Sequence, residues 1–547
     1  MQTVLTRKMK RKTYQLKITA ILAFAIFAFS FNFGVSVAAQ QDTQRVRVIG
    51  TPTPKPTTTP KQTPTPTATP VSAQSLTDLQ TRIRLVLSRP ALQRGQVGVK
   101  IVSLDANKTI FEQNGEKYFM PASNMKSYTI AAAIERLSPN FRFVTSVFAP
   151  AMPDTNGTIK GALTIYGRGD VSFSTVFYDG DYYKGLDALA TKIVQSGIKR
   201  IEGDLIGNDS YFSGSPIPSG WEWDDLQWYY GAEVSALSVN NNSVDLSIKP
   251  SSVGALCNVQ VLPVNSVIKV QNTCVTSANN VKRDLKVTKK LDQNILEISG
   301  SMPANDKTYE GYIAVSRPAE MFIALLRGLL EKKGVIITGQ NRLVNPKIKV
   351  LSQVAPVEIT RLESVPLSII AAKTMKPSQN LFTETILWSL GEQLGDKTNP
   401  KLSSADRGLG VVGNFLLQAG IASDAVLQYD ASGLSRHNLI TPNSAVQLYT
   451  FMAKQSRNAQ VWQEVLPIGG VDGTLKNRFK NTKAAGNVRG KTGTIDQVSA
   501  LSGYVSTASG EKIVFSIIVN GVVETSIRQA TIDEIVVALA NFNGSVN

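Results

Sequence analysis

Ser123 and Lys126 stand three residues apart in Pro121-Ala122-Ser123-Asn124-Met125-Lys126, and the residues that follow, YTIAAAIERL, read as a helix. Proline suits the first helical position, so the spacing predicts a serine and a lysine on one face at a helix N-terminus. Free backbone N–H groups and the helix dipole favour developing negative charge there. A lysine desolvated among apolar neighbours, or set near a second cation, has a lowered pKa and can take the serine proton. The chemistry implied is nucleophilic acyl transfer with lysine as the base. The spacing is not diagnostic by itself, since it recurs at Ser196/Lys199, Ser266/Lys269 and Ser509/Lys512. Only the copy at Ser123 opens a long helix with an apolar face.

Two further motifs could complete such a site. Ser378-Gln379-Asn380 follows Pro377 and precedes an apolar run, which places it at a helix start or in a connecting loop. A hydroxyl and an amide there can relay a proton and hold a substrate amide; the bland alternative is a simple helix cap. Lys491-Thr492-Gly493-Thr494 occurs once, within VRGKTGTIDQVSALSGYV, whose alternation suggests a strand. Gly490 and Gly493 would let a ligand backbone approach. Lysine and threonine would bind a carboxylate by charge-assisted bonds, and an edge strand could pair with a peptide.

What is missing narrows the chemistry. His437 is the single histidine, in DASGLSRHNLITP, so no multi-histidine metal site can form and no G-x-S-x-G elbow accompanies it. A hydrolase built on this chain needs another base, and His437 reads as a loop residue. No metal or cofactor is expected.

These residues need a scaffold to converge. With 547 residues and 42% apolar content, two or three domains are expected. Leu76–Leu87 reads as a helix burying Leu79, Ile83, Leu85 and Val86. Val97–Val102 alternates as a strand, with Lys108–Glu112 its hairpin partner; Lys512–Val519 reads as another strand and Ile527–Phe542 as an amphipathic helix. Helices from both ends on an antiparallel sheet make an α+β layout. Residues 150–350 change to short alternating strands rich in Gly, Asn and Ser, with a helix at Ala319–Lys333. The expected division is a terminal domain from 76–150 and 355–547, carrying an insertion of one or two mostly-β domains at 151–354.

The N-terminus reads as an export signal: a basic stretch, an apolar run Ile18–Phe33, then small residues at Ser36, Ala38 and Ala39. Segment 1–39 is a cleaved signal or a retained membrane anchor, and both readings place the bulk outside the cytoplasm, in the periplasm or cell envelope. Residues 40–75 include TPTPKPTTTPKQTPTPTATP, a polyproline-II-like spacer. The net charge is +17, and without segment 1–39 there remain 52 basic against 41 acidic side chains. That excess suits an anionic wall polymer or membrane surface. Nucleic acid is not expected as a partner, for no basic run is interleaved with aromatics. Cys257 and Cys274 either close a short disulfide, as an oxidising compartment permits, or stay unpaired and buried.

S-x-x-K, S-D-N and K-T-G are the signature of β-lactamases and penicillin-binding proteins, and the three motifs stand here in that order with Gln379 in place of the Asp. The sequence resembles the class C low-molecular-mass penicillin-binding proteins, the D-Ala-D-Ala carboxypeptidase/endopeptidase family of peptidase type S13. The resemblance covers most of residues 76–545 and extends to GDLIGNDSYF (203–212), YGAEVSALSVNNNSVDL (230–246), DASGLSRHNLITP (430–442) and GGVDGTLKNRF (469–479). The long gap between Ser123 and Ser378 fits a family that inserts extra domains there. Gln379, Thr383 and Ala431 depart from its pattern, where Asp, Ala and Gly are common. No E-x-x-L-N element, the deacylating motif of class A β-lactamases, lies between Asn380 and Lys491. A wall-binding protein that keeps the fold without catalysis is the rival of another class, and intact Ser123, Lys126 and Lys491 argue against it.

The resemblance implies a β-lactamase/transpeptidase-like fold and a serine DD-peptidase acting on peptidoglycan stem peptides, with β-lactams as covalent inhibitors. It implies Ser123 as nucleophile and Lys126 as base, with Ser378 and Lys491 shuttling the proton to the leaving amine. Asn380 would orient the substrate amide, Thr492 and Thr494 would bind the terminal carboxylate beside Gly493, and backbone N–H groups of Ser123 and Thr494 would form the oxyanion hole. Carboxypeptidase and endopeptidase activity share this chemistry and stay open, as does the oligomeric state.

Overall fold

A computed structural model describes residue 73 and residues 75–344 and 355–546. The expected export segment and nearly all of the Thr/Pro spacer lie outside these residues. Five antiparallel strands form the terminal sheet: β1 (Gln96–Ser103), β2 (Lys108–Gln113), β3 (Arg489–Ile495), β4 (Val498–Ser506) and β5 (Lys512–Asn520), in the order β2-β1-β5-β4-β3. β3, which carries the K-T-G residues, is therefore an edge.

Period-two alternation splits the buried residues of the central strand between two layers. In β5, Ile513, Phe515, Ile517 and Val519 face α1 (Leu76–Leu87) and a C-terminal helix, Thr525–Asn541, which supplies Ile532, Ile535, Val536 and Leu539. Val514 and Ile518 face the opposite layer, built from α2 (Lys126–Leu137), α3 (Asn380–Leu394) and α4 (Pro442–Lys454). Each fully buried aliphatic side chain contributes about 1.5–3 kcal/mol, so the middle strand is clamped from both sides. The second layer holds Ser123, Lys126 and Asn380 against β3. In α1 only Leu79 and Ile83 are buried, while Leu85, expected in the core, is 65% exposed. The apolar stripe of this helix is narrower than its composition suggests.

Between the two halves of that core run further sheets. One has strands Asn341–Leu343, Leu205–Asn208, Leu163–Tyr166, Val144–Ala149 and Val357–Glu363 in that order. Val144–Ala149 pairs antiparallel with Val357–Glu363. Sheet pairing thus groups both strands with the inserted layers, whereas the boundaries at 150 and 355 assign them to the terminal domain. Those boundaries follow the change of composition near residues 150 and 350, which carries no information on the sheet a strand hydrogen-bonds to. Helices Lys184–Gln195 and Pro318–Lys332 join its core through Leu189, Ile193, Phe322 and Leu326. Smaller sheets centre on Ser243–Lys249 and Ile295–Pro303. Cys257 and Cys274 form a disulfide beside them, 17 residues apart. Among the described residues no helix is long and apolar enough to cross a membrane.

Candidate active site

Ser123 lies on a 3₁₀ turn, Ala122–Met125, that runs directly into α2. Three residues per turn eclipse positions i and i+3, and Lys126 Nζ sits 2.9 Å from Ser123 Oγ. The lysine has no exposed surface. Its other contacts are Asn380 Oδ1 at 2.6 Å and the Ser432 carbonyl at 2.7 Å. Those two oxygens can only accept, so they take the two hydrogens of a neutral amine and leave its lone pair for the serine hydroxyl. Burial lowers the Lys126 pKa to about 7, against the opposing pull of Asp430 and Glu384. The amine is thus available near neutral pH to remove the hydroxyl proton.

Two buried carboxylates shape the turn that supplies the Ser432 carbonyl. Asp430 accepts from the backbone N–H groups of Gly433 and Ser435 at 2.7 Å each, from Asn438 Nδ2 at 2.8 Å and from Trp221 Nε1 at 2.9 Å. Glu384, one turn into α3, accepts from the N–H of Ser432 at 2.8 Å and of Ala431 at 3.1 Å. Gly433 has φ +80°, and a Cβ there would stand 1.9 Å from the Ala122 carbonyl, so only glycine lets the turn close over the Ser123 loop.

Ser378 is half-buried in the left-handed region at φ +67°, a strain that persists where surroundings over-determine a residue. Lys491 Nζ donates to Ser378 Oγ and to the Thr492 carbonyl, both at 2.9 Å. Burial, then repulsion from Lys126, holds the Lys491 pKa well below its ordinary value. Asn380 opens α3, where its side chain caps no backbone but spans from Lys126 to the Tyr230 carbonyl, 2.9 Å from Nδ2. Thr492 Oγ1 bonds Thr474 Oγ1 at 2.7 Å, and exposed Thr494 donates to the Gly493 carbonyl at 2.8 Å. Strand alternation places these two hydroxyls on the face opposite Lys491.

A Cβ at Gly493 would lie 2.3 Å from the Pro121 carbonyl, a backbone atom with no freedom to yield. Gly493→Ala is therefore expected to part β3 from the Ser123 turn. We expect a stability loss of about 1–3 kcal/mol and roughly tenfold slower acylation, checked by chemical denaturation and penicillin labelling. Wild-type values in both would show that the strand has room to move.

The structure brings all eight expected site residues into one neighbourhood: Ser123, Lys126, Ser378, Asn380, Lys491, Thr492, Gly493 and Thr494. His437 packs its ring 5.3 Å from that of Tyr429. Sequence reasoning missed Glu384, Asp430, Thr474 and the contribution of the insertion through Tyr230 and Trp221. The available signal for Glu384 was a lone acid inside an apolar helix, LFTETILWSL.

Known proteins share this arrangement of chain. The family model described as D-Ala-D-Ala carboxypeptidase 3 (S13) family matches residues 79–542. A D-alanyl-D-alanine carboxypeptidase of Actinomadura sp. (strain R39) is 32% identical over 461 residues, 82% of each chain. D-alanyl-D-alanine carboxypeptidase DacB of Haemophilus influenzae is 26% identical over 80% of this chain and 87% of its own. The crystal structure of penicillin binding protein 4 (dacB) from Haemophilus influenzae superposes with a TM-score of 0.71 at 25% identity, covering 86% of this chain and 99% of that one.

Proposed function

The chain belongs to the D-Ala-D-Ala carboxypeptidase 3 (S13) family and is a serine DD-peptidase; we propose that it works on peptidoglycan stem peptides through an acyl-enzyme on Ser123. The observation that carries the assignment of roles is the buried Lys126 amine, held by two obligate acceptors with Ser123 Oγ at 2.9 Å.

Ser123 Oγ attacks the carbonyl carbon of the penultimate D-Ala as its proton passes to Lys126 Nζ. Backbone N–H groups of Ser123 and Thr494 take up the charge on the carbonyl oxygen, a contribution worth about 10²–10³ in rate per donor. The peptide C–N bond then breaks, and the leaving nitrogen receives a proton by way of Ser378, whose hydroxyl is held by Lys491. Asn380 has one amide hydrogen on Tyr230, which leaves the second for the substrate amide. Thr492 and Thr494, on one face of the edge strand, receive the terminal carboxylate. Water finally attacks the ester carbonyl, returning the proton to Ser123 through Lys126. β-Lactams enter the same first step and remain attached. The protein acts outside the cytoplasm, in the periplasm or cell envelope, free or held by its N-terminal segment.

The test is intact-mass analysis of the full chain after incubation with benzylpenicillin, followed by peptide mapping. The expected result is one added β-lactam on the peptide containing Ser123. D-Ala released from a pentapeptide then marks carboxypeptidase action, and cleaved crosslinked muropeptide marks endopeptidase action. A folded chain that gains no mass would remove the acyl-enzyme and leave a wall-binding protein.

A further inference from the structure

The DD-peptidase mechanism gives no task to Glu384, although it is the most thoroughly enclosed acid near the reacting atoms. It has no exposed surface and projects from the second turn of α3, four residues beyond Asn380. Ala431 N–H lies 3.1 Å from each of its carboxylate oxygens, and Ser432 N–H lies 2.8 Å from one of them. Removing a carboxylate from water is costly unless hydrogen bonds replace the lost hydration, and these backbone N–H groups supply them. The peptide unit that follows turns its Ser432 carbonyl to Lys126 Nζ at 2.7 Å.

We infer that Glu384 is a positioning residue for acylation: its carboxylate folds the 430–433 turn so that the Ser432 carbonyl holds one hydrogen of Lys126 and turns the lone pair to Ser123. This rests on the DD-peptidase reading above. A glutamine keeps one oxygen where both N–H groups can reach it, but it sets an NH₂ against the Ala431 N–H, donor to donor, where the second oxygen accepts, and it removes the charge. An aspartate keeps the charge but withdraws the oxygens by a methylene. Glu384 also acts through its field. The charged groups facing Lys126 are Asp430 on the turn, Glu384 on α3 and Lys491 on β3. Both acids favour the ammonium form of Lys126, while burial and then Asp430 push the Glu384 pKa upward.

The experiment measures the second-order rate constant for acylation by a fluorescent penicillin across pH, using the full chain, Glu384→Gln and Glu384→Asp, each confirmed by cooperative melting. Glu384→Gln is expected to acylate between about 10- and 10²-fold more slowly. Its acid limb should move to lower pH, since a neighbour that stabilised the lysine cation has gone. Glu384→Asp should restore the limb without restoring the rate. A lost packing contact would slow acylation without moving the limb in that direction. A Gln chain within about twofold of wild type, with an unmoved limb, overturns the inference. Should the Gln chain fail to fold, Glu384→Asp carries the test: slowed acylation with an unmoved limb supports it, and a wild-type rate overturns it. A wild-type chain that is never acylated sinks the DD-peptidase reading itself, and is told apart by that control.

Discussion

Replacing Lys126 with methionine lowers the rate constant for penicillin acylation by about 10⁴-fold, the upper end of what a positioned base contributes. Methionine matches the length of the lysine stem and packs in the same enclosed space, but it offers Ser123 no lone pair. Lys126 Nζ is the group hydrogen-bonded to Ser123 Oγ, while Lys491 is paired with Ser378 and Glu384 is committed to backbone N–H groups. The loss should appear at every pH, whereas the natural chain should show an acid limb. Burial sets the Lys126 pKa to about 7. Below that value the lysine is an ammonium ion that cannot accept a proton, so acylation should fall about tenfold per pH unit; above it the lone pair is free and the rate levels off. Stopped-flow labelling across pH checks both statements. A Met variant within about tenfold of wild type would falsify Lys126 as the base.

The parts of this site legible in the sequence are those whose geometry is local. Ser123 and Lys126 meet because three residues separate them on a helical turn, and Thr492 and Thr494 share a face because two residues separate them on a strand. The neighbouring K-T-G and S-x-N motifs then gave the expected set a chemical theme. Contacts between distant segments were not legible. Glu384 reaches backbone N–H groups 47 and 48 residues away, and Asn380 reaches a carbonyl 150 residues away, in the insertion. Backbone groups carry no residue identity, so no pattern of side chains announces them. The same limit applies to the strands Val144–Ala149 and Val357–Glu363, whose mutual pairing, between segments far apart in the chain, is what says which sheet owns them. Leu85 shows the converse error, an apolar residue of helical spacing that the packing leaves outside.

Lys491→Met is expected to lower acylation by about 10³-fold, within the range for removing a proton-transfer partner, and to do so for a reason the sequence alone does not supply. The K-T-G lysine invites the reading that it binds the substrate carboxylate directly. In the structure its side-chain nitrogen is fully buried and donates to Ser378 Oγ and a backbone carbonyl. Its influence should therefore pass through Ser378, the serine proposed to deliver the proton to the leaving nitrogen. Two readouts separate these roles. If Lys491 bound the carboxylate, a substrate with its C-terminus amidated would lose affinity in the natural chain and the variant would cost nothing further. If it acts through Ser378, the variant should slow kcat by a similar factor on free-acid and amidated peptides. The pH profile supplies a second check. Asp430 and Glu384, and not Lys491, are the charges that act on the Lys126 pKa, so Lys491→Met should leave the acid limb in place. A limb that stays for Lys491→Met and moves for Glu384→Gln would identify Lys126 as the group whose protonation limits the rate; a limb that moves with Lys491→Met would mean that Lys491 titrates there.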